Sequence, residues 1–109
     1  MSSPNQEPYQ IGRSAIENTE LVFRASDMDV WFHIHEVPSA HLIYYNPEAT
    51  DLRTLRKKGV IYKMALELKK SSKYHKCNNI EVIYDYIKNI TPLTKPGLVQ
   101  CNNPKIIKC

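Results

Sequence analysis

From Val30 the chain alternates with a period of two. Val30, Phe32 and Ile34 fall on one face of an extended strand, and Trp31, His33 and His35 on the other. Pro38 and Ser39 interrupt the run, and the β-rich stretch from His41 to Tyr45 resumes it, which predicts an antiparallel hairpin. A register that sets residue 33 opposite 41 makes the two histidines cross-strand neighbours. Tyr9 to Gly12 reads as a short strand. Ser14 is placed to cap a short helix, Glu17 completes a capping box three residues on, and Ala15, Leu21, Val22 and Ala25 are its apolar positions.

After a loop over residues 46–51, in which Thr50 and Asp51 are good caps, the pattern predicts one long helix from about Leu52 to Ser71. Ile61, Met64, Ala65 and Leu68 stand at i, i+3, i+4 and i+7 and form its buried stripe. Arg56, Lys63 and Lys70 are seven apart and line up on the opposite side. Gly59 weakens this helix and marks a kink or a close contact. Ile80 to Tyr84 are strong strand formers, and Tyr86 to Ile90 extend or re-enter the sheet. The turn-rich segment 91–97 ends in Gly97, which supplies any positive φ needed. Leu98–Cys101 and Lys105–Lys108, separated by Asn102, Asn103 and Pro104, are expected to pair as a terminal hairpin. The expected architecture is α+β: a mostly antiparallel β-sheet packed by one long basic helix and one short N-terminal helix. A single domain spans residues 9–109, and residues 1–8 form a disordered N-terminal tail.

Charge sharpens this picture. The net +4 hides a segregation: residues 1–51 carry −6, residues 52–76 carry +8 from nine Lys or Arg against Glu67 alone, and residues 77–109 carry +2. A concentration of that kind suits a surface that meets a polyanion, although a lysine-rich helix is as often simply a solvated face. Three cysteines without C-x-x-C spacing point to reduced thiols in an intracellular protein. The polar first ten residues lack the apolar stretch of a signal peptide, and no apolar run approaches the length of a membrane span, so the expectation is a cytoplasmic protein with no membrane partner.

The chemistry-bearing residues cluster in the first hairpin. His33, His35 and His41 suggest an open zinc site, but the spacing is not a conventional zinc one. Asp29 beside His33, or Ser39 near His41, suggests catalysis, but neither an oxyanion hole nor a phosphate-cradling glycine loop is visible. The weightier reading of His33 and His41 is structural: an imidazole that donates from one nitrogen and accepts at the other can tie a hairpin together from within. Trp31 and Pro38 weigh likewise towards packing over base stacking. No metal, cofactor or enzymatic activity is expected.

Several of these motifs stand in a familiar order. Ile11-Gly12-Arg13, Asn18 with Leu21, Asp29 to His33, Pro38 to His41, the strand Ile80 to Tyr84, and Lys95-Pro96-Gly97 together resemble the NFACT-R domain over roughly residues 9 to 109. That family, formerly a domain of unknown function, stands at the C-terminal end of the NFACT proteins of ribosome quality control. It also occurs in short coiled-coil proteins and in bacterial proteins once named for fibronectin binding. His35 and Glu36 sit where variable residues are expected, which argues against one three-histidine site. The resemblance implies binding of RNA, either tRNA or rRNA, in the setting of the ribosome, with DNA as the other polymer some short members meet.

The phosphate-binding candidates are then Arg56, Lys57, Lys58, Lys63, Lys69, Lys70, Lys73 and Lys76, with Arg13 and Lys95 at the motif end and Tyr62 and Tyr74 as stacking candidates. Asp29, Trp31, His33, Pro38, Ser39, His41 and Gly97 are the motif residues, structural or groove-lining. The expectation is a non-catalytic RNA-binding domain in the cytoplasm (of a host, if the source is a virus). Its rival is a protein-interaction or DNA-binding module using the same helix, including self-association between the acidic first half and the basic helix.

Overall fold

The computed structural model describes residues 8–109, and of the tail expected over residues 1–8 all but Pro8 lie outside them. Pro8 is tied down, its carbonyl accepting a hydrogen bond from the Tyr45 amide at 2.9 Å.

Strand β2 (Val30–Ile34) carries the alternating pattern and sits at the centre of a five-stranded sheet. The order is β1 (Tyr9–Gly12), β3 (His41–Tyr44), β2, β4 (Glu81–Tyr86) and β7 (Lys105–Lys108), and every neighbouring pair is antiparallel. Because successive side chains leave on opposite faces, β2 feeds two cores. Val30, Phe32 and Ile34 pack with Leu42, Val82 and Tyr84 beneath α2 (Leu52–Lys57) and α3 (Val60–Lys70). Trp31 packs with Ile43 beneath Leu21 and Val22 of α1 (Ala15–Arg24). Phe32 is 0% and Trp31 2% exposed, so the sheet is covered on both faces at its centre.

The stripe of Ile61, Met64, Ala65 and Leu68 is the buried face of α3, as its spacing requires. The α1 cap is formed by Ser14, whose Oγ accepts from the Glu17 amide at 3.1 Å, while Glu17 Oε1 accepts from the Arg13 amide at 3.0 Å.

Two expectations are corrected. The long helix is broken in two, because Gly59 takes φ +82° and ends α2 before α3 begins. A Cβ at Gly59 would meet nothing within 4 Å, so its backbone angle, and not crowding, calls for glycine. The break takes Arg56 out of line with Lys63 and Lys70. The expected terminal hairpin does not form either: β7 joins β4, while β6 (Val99–Cys101) pairs with β5 (Ile90–Pro92) in a separate two-stranded sheet. The reason lies in the cores. Ile107 of β7 is buried in the α3 core, whereas Val99 and Cys101 of β6 pack into the α1 core. No helix among the described residues is long and apolar enough to cross a membrane.

Candidate functional site

The first hairpin is built around His41. The register Val30↔Tyr44, Trp31↔Ile43 and Phe32↔Leu42 continues to set 33 opposite 41, and the two imidazole rings stand 5.0 Å apart, edge to face. Trp31 Nε1–H donates to His41 Nδ1 at 3.1 Å, which fixes the neutral tautomer with the proton on Nε2. That nitrogen is left to meet the Gly97 backbone. The His41 amide donates to Asn18 Oδ1 at 3.1 Å. One buried histidine thus joins β2, β3, α1 and the β5–β6 turn. Burial first, and the neighbouring His33 second, lower its pKa to about 4 against the opposing Gly97 bond.

Glycines make room for this network. A Cβ at Gly12 would lie 2.3 Å from Asn18 Oδ1, so β1 approaches α1 only as glycine. At Gly97 φ is +84° and a Cβ would come within 2.9 Å of Ala15 Cβ. The Gly97 amide donates to Thr19 Oγ1 at 2.7 Å, pinning the turn to α1. In the sequence Asn18 stands only as a motif residue without a role, and Thr19 does not stand out. Their spacing three and four residues after Ala15 places them on the face of α1 that meets the turn.

The sharper chemical readings of this hairpin lose their groups. The two oxygens of Asp29 accept from the amides of Ser26 and Asn46 at 2.9 and 2.8 Å, so Asp29 does not orient His33. Ser39 Oγ accepts from the Ile34 amide at 3.2 Å and donates to the Ala40 carbonyl at 2.9 Å, closing the hairpin loop. With both nitrogens of His41 engaged, it has no lone pair to offer a metal. Among the described residues no cluster of three His, Cys, Asp or Glu side chains could hold one. Cys101 also faces this region, and burial, followed by Asp85, pushes its thiol up to about 11, so it stays protonated at neutral pH.

Most of the motif residues border one open groove of about 920 Å³, between the first hairpin, the start of α1 and the β5–β6 turn. Trp31, His33 and His41 border it from the sheet, with Arg13, Pro38 and Gly97 around them. His33 is half-buried and its ring stacks on Trp31 at 5.7 Å and 9°. Burial lowers its pKa, with a backbone bond at Ile34 opposing and His35 adding to the fall.

The basic residues gather elsewhere, on the helical side of the sheet. Lys57 and Lys58 stand just before the break, Lys63 and Lys70 share α3, and Lys73 and Lys76 follow it, all exposed. Lys70 lies 3.6 Å from Glu67. Lys73 sits 5.5 Å over the ring of Tyr74, which is half-buried against the core, while Tyr62 is exposed. Two candidates are set apart. Lys69 is half-buried, and Arg56 is committed to structure, donating to the Tyr84 hydroxyl at 3.0 Å and the Ile106 carbonyl at 3.3 Å. Trp31, His33 and His41 border the groove from the α1 side of the sheet, but its edge reaches Ser71 at the end of α3, next to Lys70. Ile11, Val37 and Ala40 along it pack against the α3 core, so the groove and the end of the lysine face adjoin.

No family model matches the chain. A curated relative, coiled-coil domain-containing protein 25 of Danio rerio, is 30% identical over 74 residues, which cover 68% of this chain and 36% of that protein. Among solved structures, the C-terminal of the fibronectin/fibrinogen-binding protein from Streptococcus suis matches with a TM-score of 0.78 at 23% identity, over 92% of this chain and 39% of the other. The chain spans well under half the length of these two proteins. It shares the fold of that streptococcal C-terminal region.

Proposed function

We propose that this chain is an NFACT-R-like, non-catalytic RNA-binding domain that works in the cytoplasm on tRNA or at the ribosome. The observation that carries the reading is the exposed lysine face, where Lys57, Lys58, Lys63, Lys70, Lys73 and Lys76 follow one another along α2, α3 and the next loop. Side chains of one sign on a continuous surface displace counterions from a phosphate backbone, and that release drives association. The resemblance supports the polymer. The relative named for a coiled coil and the streptococcal fold neighbour are of the kinds in which that domain is expected. The absence of catalysis is supported by geometry: Asp29, Ser39 and His41 spend their polar atoms on the fold.

A second reading, protein binding, has its own observation. Ile16 and Phe23 stand seven apart on α1 and are 65% and 71% exposed, and the fold neighbour is named for binding fibronectin and fibrinogen.

Fluorescence anisotropy of labelled tRNA, single-stranded RNA and duplex DNA, with unlabelled competitors, separates these readings. The proposal expects tRNA to be bound and to be displaced by RNA more readily than by duplex DNA. Equal competition by DNA points to a DNA-binding module, and no binding at low salt leaves protein binding as the reading.

A further inference from the structure

We propose that the motif groove is a pocket for one unpaired nucleotide of a bound strand, with its base laid against His33 and its phosphate at Arg13. This rests on the nucleic-acid-binding reading above but assigns a surface that reading does not use.

Three observations carry it. First, the rings of Trp31 and His33 already form a parallel stack, both border the groove, and His33 is the less buried of the two. A planar ring placed in the groove can stack on these aromatic side chains, the way unpaired bases are commonly held. Second, the space is right: the groove holds about 920 Å³, and the apolar Pro38 and Leu98 line it together with His33. Third, its cations are free. Among the described residues the Arg13 guanidinium, on the rim, and Lys95, beside the rim residue Pro96, form no ion pair or side-chain hydrogen bond. The acid on the rim, Glu36, lies 3.3 Å from His35 Nε2. A ring-binding floor beside uncommitted cations suits a nucleotide. In a duplex the base is paired and stacked inside, so only an unpaired one reaches such a floor.

Trp31 is the one tryptophan of the chain and borders the groove, so its emission reports on occupancy. The experiment titrates the protein with single-stranded RNA, single-stranded DNA of the same sequence and blunt duplex RNA, following Trp31 emission and the anisotropy of the labelled strand together. The pocket predicts that both signals move with the same midpoint for a single strand, whereas the duplex moves anisotropy alone. Response to RNA but not DNA assigns the pocket to ribonucleotides, and response to both assigns it to nucleotides in general. Arg13→Glu, whose side chain holds nothing in the fold, should weaken single-strand binding about tenfold and spare the duplex. Anisotropy that rises over an unchanged Trp31 emission overturns the pocket and leaves the nucleic-acid reading standing. An Arg13→Glu loss that is equal for duplex and single strand shows Arg13 to be part of the general positive field and overturns the phosphate assignment. No anisotropy change with any polymer overturns both.

Discussion

At the scale of single residues, His41 has the largest consequence. Its ring accepts from Trp31 and meets the Gly97 backbone, so folding selects the neutral imidazole and lowers its pKa from 6.5 to about 4. Since the unfolded chain binds the proton more readily, stability is complete above pH 6.5 and falls as pH drops towards 4. The gap amounts to about 3 kcal/mol, and His33, also lowered, acts in the same direction. Urea midpoints measured from pH 7.5 to 5 should therefore fall. In His41→Gln the fall should flatten, on a baseline already lower at neutral pH by about 2 kcal/mol for the broken network. A wild-type midpoint that stays level down to pH 5 would contradict this account of the hairpin. The alternation of Val30 to His35 and the structural role of His41 were legible, because a strand's period fixes faces without knowledge of the rest. Asn46 was not. It reads as a loop residue, yet its side chain binds Met28 and Thr50 while its amide caps Asp29, and those partners are brought to it only by the fold.

At the scale of elements, two glycines do different work. Gly59 ends α2 through its positive φ and faces open space, whereas Gly97 combines a positive φ with close packing on Ala15. Gly59→Ala should cost about 1 kcal/mol, the strain of a left-handed alanine less the entropy it removes from the unfolded chain. Gly97→Ala should cost about 2–4 kcal/mol, since the added methyl also forces the turn off α1. Thermal unfolding of the two variants side by side checks the order, and equal losses would mean that the turn is not packed as described. The glycine inside the helical pattern was visible in the sequence as a kink or close approach. That it severs the helix and releases Arg56 to Tyr84 was not, because a single glycine is tolerated in a helix at modest cost. The terminal strands show the same limit: their existence follows from composition, but their partners are chosen by two cores that lie far apart in sequence.

For the whole molecule, two surfaces matter. One carries α2, α3 and the exposed lysines; the other is the groove bordered by Trp31, His33 and Arg13, which reaches the first at Ser71, the end of α3. The charge segregation announced the first, since nine basic residues within 52–76 leave few ways to hide them. The groove was legible as a set of residues and not as a place, because Arg13, His33 and Gly97 meet only after β1, the hairpin and the β5–β6 turn converge on α1. On this account the lysine face supplies sequence-independent affinity and the groove adds selectivity for an unpaired base. The central claim is the electrostatic one, and its most direct test is the slope of log affinity for single-stranded RNA against log salt, in wild type and in Lys63→Glu/Lys70→Glu/Lys73→Glu. The wild-type slope should be steep and should flatten by roughly 2 in the triple variant, at about 0.7 of a counterion for each phosphate that a lysine no longer neutralises. A wild-type affinity insensitive to salt, or a slope unchanged by the three reversals, would contradict the claim.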